Sequence, residues 1–302
     1  MNGVLDALVQ KLGAGSCWAG EPMSRHTTFM AGGKAAVYAR PANESELLEA
    51  IAICKEAGVK YFILGKGSNT LFPDGESDVA VISTEKLNDI SLAPDNPLRI
   101  KAGAGALLKH IADFARKKGL AGFEFACGIP GSLGGALRMN AGAHGGEISH
   151  VFHSARILIQ DGSVKTIGSS AMDFSYRHSV LADRPYTALS AELNFTEDDP
   201  EAIKARMDEI LEKRNASQPL GFPSAGSVFK RPAPNVFAAK LIEDCGLKGR
   251  RVGGAEVSRK HSGFIINTGG ATAADITELI AIVRETVFEK TGVMLELEIV
   301  IV

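Results

Sequence analysis

The chain has 302 residues, 45% hydrophobic and 23% charged, with a formal net charge of -2. That length gives room for roughly two or three compact units, and the near-neutral balance excludes the basic footprint of a nucleic-acid binder. No apolar run approaches the roughly 18 residues of a membrane span, no basic stretch precedes an apolar one at the N-terminus, and Cys17, Cys54, Cys127 and Cys245 form no CxxC pair, so a cytoplasmic protein with reduced thiols and no metal site is expected.

In chain order, Asn43 and Glu46 have the spacing of an N-cap and its third helical residue. Leu47, Leu48, Ile51 and Cys54 then form a helical stripe. Lys60–Leu64 predicts a buried strand that opens directly into Gly65-Lys66-Gly67-Ser68-Asn69. Strands are predicted at Val79–Ser83 and Leu98–Ala102, and a helix from about Leu107 to Lys118 with Gly119 just past its end. Further strands are predicted at Arg156–Gln160, Val164–Ile167 and Thr187–Phe195. Asp199 then caps a helix with Pro200 in its first position and Ile203, Met207, Ile210 and Leu211 on one stripe. That helix leads into a loop at Asn215–Pro223. A helix at about Asn235–Cys245 ends at Gly246. Another starts at Thr272, with Asp275 at capping-box spacing, and runs to about Lys290. Val293–Val302 predicts a closing strand. This order implies an α+β chain with mixed sheets rather than a regular βαβ series.

Glycine is the compositional outlier, at 33 residues, where an average near 7% would give about 21. It concentrates in two loops, Leu64–Asn69 and Gly128–Gly145. Glycine lets a phosphate reach successive backbone N–H groups, and a helix start behind such a loop adds partial positive charge. Ser68, Asn69 and Ser132 add side-chain donors. Neither loop is a Rossmann fingerprint or a P-loop. Two such cradles on one domain suit a diphosphate, hence a dinucleotide such as FAD.

The segments HTTFMAGGKA, LGKGSN, GIPGSLGGALRMNAGAHG, FSYRHS, QPLGFPSAGSVFKRP, GGAEVSRKHSGFIIN and GVMLELEIV occur in this order. Together they resemble the UDP-N-acetylenolpyruvoylglucosamine reductases, also called UDP-N-acetylmuramate dehydrogenases, from about Thr27 to Val300. The short length resembles the type II form, which lacks an inserted tyrosine-bearing loop over the substrate. The resemblance implies a FAD-binding fold of the vanillyl-alcohol-oxidase type. Residues 1–88 and 89–198 would be its two α+β subdomains, and 199–302, including a linker helix, an α+β substrate-binding domain. The implied reaction belongs to bacterial peptidoglycan synthesis. NADPH reduces FAD, and hydride then passes from flavin N5 to C3 of the enolpyruvyl group of UDP-N-acetylglucosamine enolpyruvate while a proton reaches C2. No nucleic-acid or membrane partner is implied, and a monomer is plausible.

Addition at C3 puts charge on C2 and its carboxylate, so the site needs a cation or donor and an acid. By resemblance, Arg177 holds the carboxylate, a task suited to a planar, permanently charged guanidinium. Ser227 matches the proton donor, where position matters more than acidity. Glu298, sharing a strand face with Met294, Glu296 and Val300, matches the family glutamate, an acid or hydrogen-bond donor. Flavin contacts carry over to Gly65, Lys66, Gly67, Ser68 and Asn69, to Gly131, Ser132 and Gly135, and to Asn140, Ala141 and Gly142, with Ile148 packing on the ring system. Lys230 and Arg231 are candidates for the UDP-sugar, Arg231 standing where many relatives have asparagine. His144 has no evident role. The competing expectations are another FAD oxidoreductase of the same fold with a different substrate, a non-catalytic flavin carrier, and a structural protein with glycine-rich turns.

Overall fold

The computed structural model describes residues 1–302. The chain divides into two compact units. The first comprises Met1–Ala19, Val37–Lys66 and Val79–Arg214, and the second Gly20–Ala36, Gly67–Asp78 and Asn215–Val302.

The first unit contains two hydrophobic cores. In one, the strand Ala80–Ser83 lies between parallel neighbours, pairing Val37 and Tyr61 with Ala80. All four of its residues are buried, as expected for a parallel strand covered on both faces. The helix Glu44–Glu56 contributes Leu47, Ala50, Ile51 and Cys54 to this core. Its start follows from the sequence. The Asn43 side chain accepts the Glu46 N–H at 3.0 Å, and Glu46 reaches back to the Ala42 N–H at 2.8 Å. Two otherwise orphaned donors are thereby satisfied.

The second core lies on a five-stranded antiparallel sheet. Its order is Val164–Gly168, Phe152–Leu158, Thr187–Asn194, Asn96–Gly103, Ile90–Ala93. The helix Leu108–Lys117 buries Leu108, Ile111, Ala112 and Ala115, the spacing of one helical face. Each fully buried leucine or isoleucine there stabilises by about 1.5–3 kcal/mol. The helix Pro200–Ser217 adds Ile203 and Met207, while the predicted fourth stripe residue, Leu211, is exposed.

The second unit has an antiparallel sheet in the order Ser224–Ser227, Phe264–Asn267, Ala255–Val257, Arg251–Val252. The helices Ala238–Asp244 and Ala273–Thr291 share its core, which also takes in Phe29 and Leu71. The capping box at Thr272 and Asp275 forms as the sequence predicts. Buried Asn267 ties the early stretch to this core by donating to the Phe29 carbonyl at 3.0 Å.

Three expectations are corrected. The closing strand is ladder-paired only at Val300–Ile301, parallel to Thr70–Leu71. The preceding residues keep the alternation, with Leu295 and Ile299 buried and Met294 exposed. Their backbone bonds go to two different neighbours, Val228–Lys230 and Asn69, so no continuous ladder forms. The helix expected from Asn235 starts at Ala238, because Asn235 occupies a left-handed turn position (φ 62°) between the bridged residues Ala233 and Val236. The helix from Pro200 continues to Ser217, three residues into the expected loop. The strands Cys17–Pro22 and Lys34–Ala39 and the whole sheet of the second unit lacked a clear periodic signal, whereas the helix Asn2–Leu12 carries one in Val4, Leu5, Leu8, Val9 and Leu12 that was not among the expected elements. All four cysteines are buried and free, and no helix is long and apolar enough to cross a membrane.

Candidate active site

The two glycine loops meet within the first unit. At Gly65 a Cβ would overlap the Ser132 hydroxyl, so glycine here leaves that hydroxyl in place between the loops. Ser132 is 3% exposed, and its Oγ is buried with no hydrogen-bond partner in the protein. A buried unsatisfied hydroxyl costs about 1–3 kcal/mol, which a ligand oxygen at this point would recover. An orphaned donor against a glycine-cleared surface is what a FAD phosphate requires, so the residues fit the cofactor. Exposed Gly135 leaves room beside it, and Lys66 is exposed. The helix Leu133–Met139 contributes less than its position in the sequence suggests. Its Leu133 and Gly134 N–H groups donate to the Ala106 and Ala104 carbonyls at 2.9 and 2.8 Å, so those two donors are already engaged.

Two expected flavin contacts are reassigned. Ile148 is fully buried in the second core of the first unit, and its side chain is a core residue rather than a ring contact. Asn140, also fully buried, donates to Glu147 and the Ser175 carbonyl at 3.0 and 3.1 Å and accepts the Ser149 N–H at 3.0 Å. Its side chain is thus committed to the protein, and the backbone beside it is largely engaged too: the Ala141 N–H donates to the Ala136 carbonyl at 2.9 Å and the Ala141 carbonyl accepts the Ile148 N–H at 3.0 Å.

This cradle gives a direct expectation. In Gly65→Ala the new methyl displaces the Ser132 hydroxyl, and bound FAD should fall by about tenfold or more at unchanged protein concentration, a loss of about 1.4 kcal/mol or more. Gly168→Ala is the control, since nothing lies within 4 Å of its Cβ. Flavin absorbance relative to protein, with thermal melting alongside, measures the effect. Full flavin content in Gly65→Ala would remove the cradle assignment.

Arg177 lies in the first unit on a tight turn. Ser175 and His178 exchange backbone hydrogen bonds at 3.2 Å in both directions, leaving Tyr176 and Arg177 between them. Arg177 is left-handed, at φ 57°. Glycine or asparagine is the usual occupant of such a position, and an arginine held there against its backbone preference points to a role for its side chain. The guanidinium is half-buried, donates to the Gly142 carbonyl at 3.1 Å, and lies 5.1 Å from the centre of the Tyr176 ring.

Ser227 and Glu298 come together in the second unit. Gly226, at φ 75°, accompanies a register irregularity between Ser224 and Ser227, and Ser227 pairs with Phe264. The following residues run beside the chain end. Glu298 N–H donates to the Val228 carbonyl at 2.8 Å, Lys230 N–H to the Glu296 carbonyl at 2.9 Å, and Phe229 bridges Leu297. The Asn69 side chain donates to the Glu298 carbonyl at 2.9 Å, and the Asn69 carbonyl accepts Val300 N–H. Gly67 is buried at φ 66°, where a Cβ would overlap the His26 carbonyl. The second half of the first glycine loop therefore fixes the backbone that carries Glu298, a role sequence spacing could not reveal.

Lys230 is 3.5 Å from the Glu296 carboxylate, and Arg231 stacks over the Phe237 ring with its guanidinium carbon 4.9 Å from the centroid. His144 acquires a role. With Gly145 it forms a two-residue hairpin turn, at φ 51° and 84°, between Ala143 and Gly146. Positive φ at both central positions defines the primed turn that matches strand twist. Arg214 had no sequence signal. Desolvation lowers its basicity, and Gly128 makes room for it, since a Cβ there would stand 2.9 Å from its Cδ.

Residues 35–168 match the family described as FAD binding domain, and residues 218–302 the C-terminal domain of UDP-N-acetylenolpyruvoylglucosamine reductase. The reductase of that name from Clostridium novyi is 48% identical over 280 residues, covering 93% of this chain and 90% of the relative. The one from Listeria monocytogenes is 46% identical over 282 residues, 93% of each chain. The crystal structure of the Thermus caldophilus reductase aligns with a TM-score of 0.78 at 30% identity, over 94% of this chain and 97% of that one. At fold level only, the chain is also similar to the grass pollen allergen Phl p 4, a glucose dehydrogenase. There the TM-score is 0.52 at 14% identity, over 75% of this chain and 51% of that one. The α+β architecture, the FAD-binding domain and the C-terminal domain are thereby accounted for, and the chain belongs to the UDP-N-acetylenolpyruvoylglucosamine reductase family.

Proposed function

We infer that this flavoenzyme reduces UDP-N-acetylglucosamine enolpyruvate to UDP-N-acetylmuramate with NADPH, as a cytoplasmic step of peptidoglycan synthesis. FAD, when bound, supplies the carrier that accepts hydride from NADPH and delivers it to C3 of the enolpyruvyl group. The gathering of Ser227 and Glu298 at one point of the substrate-binding domain, through the Glu298 N–H to Val228 carbonyl bond of 2.8 Å, carries this reading. Hydride arrival at C3 drives negative charge onto C2 and the adjoining carboxylate. Arg177 holds that carboxylate and stabilises the developing charge. Ser227 Oγ delivers its proton to C2, and solvent restores it. Glu298 donates or relays a proton at the same carboxylate. Lys230 and Arg231 bind the UDP portion. We divide the chain functionally into 1–88 and 89–198 for FAD and 199–302 for the substrate, without nucleic-acid or membrane partners.

Single-turnover stopped flow tests the reading. NADPH should bleach the flavin absorbance of the purified protein, and the UDP-enolpyruvyl sugar should restore it under anaerobic conditions, yielding the lactyl ether. Restoration by oxygen alone, with the sugar inert, would overturn the reading in favour of a different oxidoreductase on the same fold.

A further inference from the structure

Glu147 has no part in the reaction as described, yet it sits at the centre of a polar network in the first unit. It ends a short hairpin in which Gly142 pairs with Glu147 and Ala143 with Gly146. The pairing is close. A Cβ on Gly142 would stand 2.8 Å from the Glu147 Cβ, so only glycine fits opposite it. Glu147 Oε1 accepts hydrogen bonds from Asn140 Nδ2 at 3.0 Å and Ser149 Oγ at 2.5 Å. Asn140 Nδ2 also donates to the Ser175 carbonyl at 3.1 Å, two residues before Arg177. Arg177 donates to the carbonyl of Gly142, the residue paired with Glu147. The contacts close a ring: Glu147 to Asn140, Asn140 to the Arg177 turn, Arg177 to Gly142, and Gly142 back to Glu147.

We propose that Glu147 is the positioning residue of Arg177. Its carboxylate locks the two hairpins together and gives the guanidinium an anionic neighbour, so that Arg177 is aimed before any substrate arrives. The inference rests on the reading of Arg177 as the group that holds the substrate carboxylate. The carboxylate is kept ionised. Partial burial pushes the Glu147 carboxyl upward, but hydrogen bonds from Ser149 and Asn140, with His150 and Arg177 nearby, bring it below its ordinary value. An anion beside Arg177 also opposes a second carboxylate there. Glu147 therefore weakens ground-state binding of the substrate while improving the alignment that the transition state needs, and the two effects are separable in kinetics.

Glu147→Gln keeps an oxygen for Asn140 and Ser149 and removes only the charge. The expected result is a fall in kcat of about tenfold, with KM for the UDP-enolpyruvyl sugar unchanged or lower. Flavin content, melting temperature and the rate of reduction by NADPH should match the parent protein. In an Arg177→Ala background the same change should add less than about twofold, because a residue acting through Arg177 has nothing left to position. A readout independent of turnover is the side-chain Nε–H resonance of Arg177 in the FAD-loaded protein, identified by its loss in Arg177→Ala. It should shift or broaden in Glu147→Gln without any substrate. An equal loss from Glu147→Gln with and without Arg177, parallel slowing of both half-reactions, a drop in flavin content or an unmoved resonance would each overturn the inference. Failure of the proposed reaction would show in the parent protein, which the sugar would not reoxidise. Failure of the positioning inference shows only in the variants.

Discussion

Ser227→Ala should retain its FAD and its reduction by NADPH, and lose reoxidation by the UDP-enolpyruvyl sugar by a factor of about 10²–10⁴ or more. The substitution removes one oxygen at a position fixed by its pairing with Phe264 and by the neighbouring Val228 to Gly263 and Glu298 bonds, all of which use backbone atoms. The local fold should therefore survive. No proton is needed at C2 when NADPH donates, so that half-reaction has no use for the hydroxyl. The upper part of the range applies if the site admits no water able to replace Ser227. Ser227→Cys should recover part of the rate, because a thiol can also donate. Stopped-flow absorbance of the bound FAD separates the two half-reactions in each variant. Reoxidation of the alanine variant at the parent rate would remove Ser227 as the acid, leaving Glu298→Gln as the next variant to measure.

Arg177→Gly should show an equally selective loss, with an unusual stability signature. Deleting the guanidinium withdraws charge stabilisation from the developing carboxylate dianion, and reoxidation should slow by about 10²–10³. Arg177→Lys should be little better, since a point charge lacks the planar fork. Stability should fall less than in most deletions of a half-buried side chain. The φ of 57° at Arg177 strains any L-residue by about 1–2 kcal/mol, and glycine relieves it. The relief offsets the lost bond to the Gly142 carbonyl and the added freedom of the unfolded chain. The melting temperature should stay within a few degrees of the parent, and Arg177→Ala, which keeps the strain, should melt lower than Arg177→Gly. Equal slowing of both half-reactions, or a glycine variant less stable than the alanine one, would contradict this account.

What could be read from the sequence follows physical range. The Asn43 and Thr272 caps were legible because a cap involves residues three apart and needs no knowledge of the rest of the chain. The amphipathic helix at Leu108 was legible because its burial is periodic, and the strand Ala80–Ser83 because it is a short, continuously apolar run buried on both faces. The sheet of the second unit was not, since its strands are two to four residues long, too short for a period to register. Glycine clusters marked the two loops as candidate phosphate cradles on one domain, but not that Gly65 would lie against Ser132. The tasks of Asn140 and Asn69 were out of reach. Each was expected to face the ligand, and each holds protein backbone through partners up to 229 residues away. The stripe also placed Leu211 in the core, where it is in fact exposed.

The second unit is stitched from three separated stretches, and this sets an order of events on the ribosome. Gly20–Ala36 and Gly67–Asp78 emerge early, but the residues that complete their core, from Val228 to Ile299, and the strand that pairs with Thr70–Leu71 come from the final third of the chain. At synthesis rates of about 5–20 residues per second, Leu71 and the loop around Gly67 remain uncovered for roughly 10–45 s. During that interval the nascent chain exposes Phe29 and Leu71, an invitation to chaperones. The backbone of Asn69 to Leu71 gains its partners at Val300 and Ile301 only after more than two hundred further residues have been made, so the first glycine loop is set late, after the second loop and the core of the first unit are already in the chain.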